Sequence, residues 1–489
     1  MRKGQLLLLA LLLLCCSVSQ VLAAWVKYSS VEEWRDIVSV ASGYLVLGAL
    51  HTDTGPKAIT LTLFDKEYRI VWTKKYQTDV SVEAVNILPQ GDDGYLIVGQ
   101  IDTEQESLAL VFKVDNSGNI EWQKAYSFGE EANTLALIKA LKRDFSYFIF
   151  GNSCTEESCS AFLLELSLEG EVKSARLYQS PENFNVLEEV QILENGFLIA
   201  GKVVSSNGLD FWLAEIDQEG QVSWSKSYGG EDTELLNDMA ILPDGLLLVG
   251  ETTSGEDDQG DALIVKLNTR GDLLWHRIFG HEGPDRAQKV FPQGEIYVVV
   301  GETNSASADL FWSSFTSQGA LLQTISFSSP EDEHVGEVLP DKELLLVGQS
   351  GTQGLFLSFS NLSESDCTSF NALEFSAQSL TVFQQDLPLQ NTVLSAVSPK
   401  ETNLTVISQA LSLKTLCMDE VSPMKGDASQ DQKIDVIDAL LVARCALGLS
   451  ETCVVSITDV NCDEKVNVID ALLIARKALL LDVPSWCSL

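Results

Sequence analysis

The chain has 489 residues, 45% of them hydrophobic, and carries 32 Lys and Arg against 70 Asp and Glu for a formal net charge of −38. This composition folds, is long enough for more than one domain, and repels DNA, RNA and anionic membrane alike. Of only four His, His276 and His281 alone have ligand-like spacing, which argues against a His-rich catalytic metal centre.

The N-terminus opens with Arg2 and Lys3, continues as an apolar run from Leu6 to Cys16, and reaches Ala23 after Val21 and Leu22. A basic start, an apolar stretch short for a bilayer and a small residue at the cleavage position predict a signal peptide over residues 1–23. The mature chain is then expected to be secreted, extracellular or cell-surface associated, with no transmembrane segment. Eight Cys remain after cleavage, an even number that predicts disulfides in an exported protein. Cys154 and Cys159 are close enough for a local hairpin staple. Asn361-Leu-Ser and Asn403-Leu-Thr are glycosylation sequons.

From residue 24 to residue 360 the chain repeats. An apolar run recurs seven times, closed by Gly48, Gly99, Gly151, Gly201, Gly250, Gly301 and Gly348, which stand 51, 52, 50, 49, 51 and 47 residues apart. Between these runs lie turns followed by aromatic strands. Asp115 to Gly118 precedes Trp122 and Tyr126, Asp217 to Gly220 precedes Trp224 and Tyr228, and Asn268 to Gly271 precedes Trp275 and Phe279. Weaker copies end at Tyr76, Tyr178 and Phe327. Asx-Gly turns between apolar runs are hairpin signals. Four strands in about 50 residues make a propeller blade.

The ends complement each other. Trp25 to Tyr28 is an aromatic strand with no turn or preceding strand before it, and Gly354 to Phe359 lacks the aromatic strand that should follow. The fold class is therefore mainly β, a seven-bladed β-propeller over 24–360 closed by its N-terminal strand. A right-handed β-solenoid and an eight-bladed ring are the rivals. These repeats resemble the Gly-rich propeller repeats of secreted bacterial and archaeal proteins, a resemblance that implies a binding or scaffold surface and no particular chemistry.

Residues 361–422 lose the repeat. Ser379 to Phe383, Val393 to Val397 and Asn403 to Ser408 read as extended, interrupted by Pro388 and Pro399. The segment is expected to be an extended β-type spacer lying against the last blade. About 60 residues without Trp or Tyr is a poor fit to a sugar-binding sandwich.

Residues 423–489 carry a duplicated loop. Oxygen side chains stand at positions 1, 3, 5, 9 and 12 of both copies: Asp427, Ser429, Asp431, Asp435 and Asp438, then Asp459, Asn461, Asp463, Asn467 and Asp470. This spacing lets one tight loop wrap a hard cation, with the backbone carbonyls of Lys433 and Lys465 at position 7. A helix rich in good helix formers follows each loop. Two 12-residue loops with Asp at position 12, each before a Leu-rich helix with one Arg, resemble a type I dockerin over about 425–482. The resemblance implies a small α-helical domain with duplicated F-hand loops, two bound Ca2+ ions and a cohesin-bearing partner. Val436, Ile437, Val468 and Ile469 occupy the positions that set partner choice in that family, with Arg444 and Arg476 at the rim. The Leu pairs 440/441 and 472/473 are expected to be core. Position 6 departs from the family: Gln432 and Glu464 replace Gly where the chain bends.

Carboxylate clusters such as Glu331, Asp332 and Glu333 sit in polar turns and read as solvated surface. No nucleophile elbow, P-loop or dinucleotide fingerprint is present. The reading is a secreted, non-catalytic propeller held to a partner by its dockerin. Two alternatives stay open: a polysaccharide-degrading propeller delivered the same way, and a free protein whose tail is only a cap.

Overall fold

The computed structural model describes most of residues 25–359, seven short strands between Phe370 and Cys417 and, beyond them, residues 434, 436–446, 458–461, 463 and 465–478. The predicted signal peptide, both sequons and most of the first 12-residue loop lie outside the described residues. The chain separates into two compact units, 1–417 and 418–489. Among the described residues, no helix is long and apolar enough to cross a membrane.

Seven antiparallel sheets form the first unit. Blade 1 runs Glu33–Val40, Gly43–Thr52, Gly55–Phe64 and Ile70–Gln77 from inside outward, and blades 2 to 6 repeat that order. Blade 7 contributes three strands, and Trp25–Ser29 supplies its fourth by pairing with Gln353–Phe359, from Trp25 opposite Ser358 to Ser29 opposite Gly354. Each junction between blades holds its own apolar core. The last of these joins Trp34, Ile37, Val46 and Phe64 of blade 1 to Leu345, Val347 and Phe356 of blade 7. The ring is therefore closed with seven blades, which removes the solenoid and the eight-bladed rival.

The repeated glycines explain how the blades fit. The apolar second strands are buried on both faces, as in Gly245–Thr252. Their closing glycine faces the innermost strand, where a Cβ at Gly201 would overlap the Val186 carbonyl oxygen. That close approach accommodates a β-bulge, present at the same place in all seven innermost strands. The turn glycines work across junctions. Tyr76, Tyr126 and Tyr178 donate hydroxyl hydrogen bonds of 2.8, 2.7 and 3.0 Å to the carbonyls of Gly118, Gly170 and Gly220 in the next blade.

Residues 370–417 form neither a spacer nor a contact with the last blade alone. Their strands add a fifth, outermost strand to every blade: Phe370–Ala372 on blade 6, Ser376–Gln378 on 5, Phe383–Asp386 on 4, Gln390–Val393 on 3, Val397–Lys400 on 2, Thr405–Ser408 on 1 and Leu413–Cys417 on 7. The segment is a belt that runs once round the ring, against the order of the blades. Its register repeats: Phe370, Ser376, Phe383, Gln390, Val397, Thr405 and Leu413 lie opposite Phe327, Gly280, Gly229, Gln179, Phe128, Gln77 and Ser29. Belt strands start 6 to 8 residues apart, enough extended chain for roughly 20–29 Å per blade. Pro399 sits in one of them, opposite Tyr126, which an outermost strand tolerates.

The second unit has two described helices, α1 (Val436–Ala446) and α2 (Val468–Ala478). They pack through Ala439 and Val442 against Ala471, Leu473 and Ile474, with Val460 of the second loop completing the cluster. The disulfide between Cys154 and Cys159 joins adjacent strands of blade 3, and Cys445 on α1 is also disulfide-bonded.

Candidate functional site

The second 12-residue loop is held in shape by its own oxygens. Asp459 Oδ1 and Asn461 Oδ1 both accept from the Asp463 N–H, at 3.2 and 3.1 Å, and Asp463 Oδ1 accepts from the Lys465 N–H at 3.0 Å. Asp470 ties the two ends together: Oδ1 accepts from the Val460 N–H at 3.1 Å and Oδ2 from the Asn467 N–H at 2.9 Å. Asp470 is fully buried and Asp459 nearly so, whereas Asp463 and Lys465 are exposed. An all-oxygen donor set on so short a loop fits a hard cation such as Ca2+. Among the described residues no three His, Cys, Asp or Glu side chains converge as a metal cluster. Asn461 and Asn467 stand at two of the loop's five side-chain oxygen positions.

Of the first loop, Asp427, Ser429, Asp431, Lys433 and Asp435 lie outside the described residues. Val436, Ile437 and Asp438 open α1, with side chains that also lie outside them.

The start of α2 presents an apolar face. Val468, Ile469 and Leu472 are 61%, 52% and 61% exposed, whereas Leu473 and Ile474 are buried. Leu440 on α1 is 61% exposed as well. The expectation of core Leu pairs is corrected on this point: one Leu of each pair points outward, because adjacent helix positions differ by about 100° in direction. Arg444 and Arg476 are exposed on the last turns.

A second constellation was missed by sequence reasoning. The residue after each inner-strand bulge is polar: Asp36, Asn86, Lys139, Glu189, Asp238, Lys289 and Glu337. Together they form a ring in the central channel. Asn86 Nδ2 and the Ile87 N–H donate to Asp36 Oδ2 at 2.7 and 2.8 Å. The Ala140 N–H donates to Asn86 Oδ1 at 2.9 Å, and the Val290 N–H to Asp238 Oδ2 at 2.8 Å. Lys139 pairs with Glu189, and Lys289 with Glu337 at 2.9 Å. Asp36, Asn86 and Asp238 thus each accept a backbone N–H from the next blade, and Lys139 and Lys289 each reach the next blade's carboxylate. Lys139, Glu189, Lys289 and Glu337 line both a cavity of about 410 Å³ and another of about 300 Å³, so the ring divides the channel.

Burial raises the Asp36 carboxyl to about 6, with Glu337 adding to the rise, and lifts Asp238 to about 7. Burial works against the Lys289 ammonium, but Glu337, Asp238 and Glu189 outweigh it and hold its pKa above the ordinary lysine value. Burial likewise opposes the Glu337 carboxylate, yet Lys289 and Lys139 keep it below its ordinary value.

The reading of Glu333 as solvated surface is corrected, and Asp210 is a further acid found inside. Glu333 is fully buried and accepts from Ser350 Oγ at 2.9 Å. Asp210 is buried beside Ser205, and burial raises its pKa, with Glu234 adding to the effect.

Residues 425–479 match the dockerin type I domain family. They follow the region folded as a seven-bladed propeller. No curated protein matches the chain. Two solved structures overlap it weakly, both at 10% identity. Core factor from S. cerevisiae has a TM-score of 0.36 and covers 73% of this chain and 64% of its own. The quinohemoprotein alcohol dehydrogenase ADHIIG from Pseudomonas putida HK5 has a TM-score of 0.21 and covers 68% and 60%. The chain thus spans under two thirds of the length of either, and neither likeness is close enough to carry function.

Proposed function

We propose that this is an exported, non-catalytic propeller that binds or scaffolds an extracellular ligand and is attached through its C-terminal domain to a cohesin-bearing partner or cell-surface complex. Two Ca2+ ions, one per loop, fold that domain and set the direction of its helices. The ligands are Asp427, Ser429, Asp431, Asp435 and Asp438 with the Lys433 carbonyl, and Asp459, Asn461, Asp463, Asn467 and Asp470 with the Lys465 carbonyl. A predicted signal peptide and the family's usual extracellular setting support export.

The observation that carries docking is the exposure of Val468, Ile469 and Leu472 at the start of α2. A domain of this size gains stability by burying such side chains, each worth about 1.5–3 kcal/mol. Leaving three exposed together marks a contact surface. A tail that served only as a cap has no use for them. The test is calcium-dependent capture of purified cohesin domains by the full chain. Micromolar or tighter binding that chelation abolishes supports the reading, and no binding to a panel of cohesins in calcium overturns it.

A second reading, a propeller acting on polysaccharide, has the converging carboxylates Asp36, Glu189, Asp238 and Glu337 in its favour. Against it, Glu189 and Glu337 are neutralised by lysines, and the one Trp among the lining residues, Trp34, is 1% exposed. Release of reducing ends or unsaturated products from a polysaccharide panel would move the assignment to that reading.

A further inference from the structure

The belt joins the ring to the C-terminal unit, and its geometry has a mechanical consequence. Each belt strand is three to five residues long. It pairs along one edge only, with the outer strand of one blade. Most strands within a blade are longer, up to ten residues, and all but the innermost pair on both sides; Trp25–Ser29 on blade 7 has five residues but also pairs on both sides. Ring closure does not need the belt, because Trp25–Ser29 pairs with Gln353–Phe359 inside it. Any pull on the C-terminal unit enters the first unit at Cys417, the end of the belt strand on blade 7. Chain connectivity then fixes the order of release: blade 7, then 1, 2, 3, 4, 5 and 6.

We infer that the belt is a reel, a load-releasable tether that lengthens stepwise under tension while the four-stranded blades stay closed. Its use as a tether rests on the docking reading. Each strand freed, with its connection, adds roughly 20–30 Å, and residues 360–417 add roughly 200 Å in all. Rebinding is templated by the same register in every blade, so the belt can rewind when the load falls. A docked propeller could then stay attached through transient strain and reach ligands over a variable radius.

Force spectroscopy on the full chain in calcium tests this. The propeller is held at Phe145→p-azidophenylalanine, a turn position 79% exposed, and the C-terminus is pulled. The expected trace has up to seven short extensions of roughly 20–30 Å, about 200 Å in total, recovered on relaxation and preceding any long release. A first event that frees a whole blade, or no short steps at all, overturns the inference. A second variant, the oxidised pair Gln179→Cys with Gln390→Cys, clamps the belt on blade 3, where these residues are opposite. It should shorten the early extension to roughly 90 Å; an unchanged total contradicts the order of release. The experiment uses no cohesin. Short steps in a chain that binds no cohesin would keep the reel and remove the docking reading alone.

Discussion

The Tyr228 hydroxyl donates a 2.5 Å hydrogen bond to the Gly271 carbonyl, across the junction between blades 4 and 5. Gly271 has φ +74°, and a Cβ there would press on Tyr228 and on the Trp224 ring. The Asx-Gly turn and the aromatic strand, two features of one sequence repeat, therefore meet between neighbouring blades. Tyr228→Phe leaves a buried carbonyl short of a partner and should lower stability by about 1–3 kcal/mol. Gly271→Ala should cost at least as much, since it adds a left-handed backbone penalty of about 1 kcal/mol to the crowding. Thermal denaturation of both variants checks this; wild-type midpoints would refute the junction's role.

The channel ring gives the propeller a pH dependence. Asp36 and Asp238 have folded pKa values of about 6 and about 7, above the ordinary 3.8. The folded state therefore binds more protons between pH 4 and pH 7, and stability from these groups falls as pH rises through that window. Asp238 faces Lys289, Glu189, Glu337 and the Val290 N–H. In Asp238→Asn the amide oxygen can keep the Val290 bond, as Asn86 does for Ala140. The variant should be more stable than wild type at pH 8 by about 1–3 kcal/mol, with a flatter profile from pH 4 to 7. A profile parallel to wild type would show that Asp238 is not among the titrating groups.

Docking should depend on the outward Leu residues and not on those in the core. Because the halves are duplicated, Leu472→Glu alone is expected to leave binding through the first half. Leu440→Glu with Leu472→Glu should weaken cohesin capture by at least about 100-fold, the scale of a lost central anchor. Both positions are 61% exposed, so calcium affinity and helix content should not change. Full binding by the double variant would place the contact elsewhere.

Ending the chain after Ser360 tests the belt's place in the fold. The seven four-stranded blades and their closure by Trp25–Ser29 remain. Such a chain should show β-sheet circular dichroism and cooperative melting, with a lower midpoint than the full chain. Failure to fold would mean that the belt belongs to the core and cannot release.

The propeller was legible because its signals recur: seven glycine-closed runs and a lone aromatic strand at one end that completes a blade at the other. The dockerin match at 425–479 was equally plain, since the doubled 12-residue loop keeps its spacing. The belt was not legible. Its strands are three to five residues long, its prolines read as breakers, and its register is set by partners up to about 390 residues away, such as Cys417 opposite Val26. The channel ring escaped for a related reason. Asp36, Asn86 and Lys139 are one polar residue per 50, ordinary on a strand, and only closure of the ring brings them together. Leu440 and Leu472 misled because a doubled Leu in a short helix has the composition of core while its two members face different ways.

Calorimetric titration of Ca2+ into the full chain, read beside circular dichroism at 222 nm, tests the central claim most directly. The expected result is two ions bound with a gain of helix, both lost in Asp427→Ala with Asp459→Ala while the propeller's own melting transition stays in place. No heat of binding and no change in helix on adding or chelating calcium would contradict it, and with it the reading of residues 423–489 as a calcium-folded docking domain.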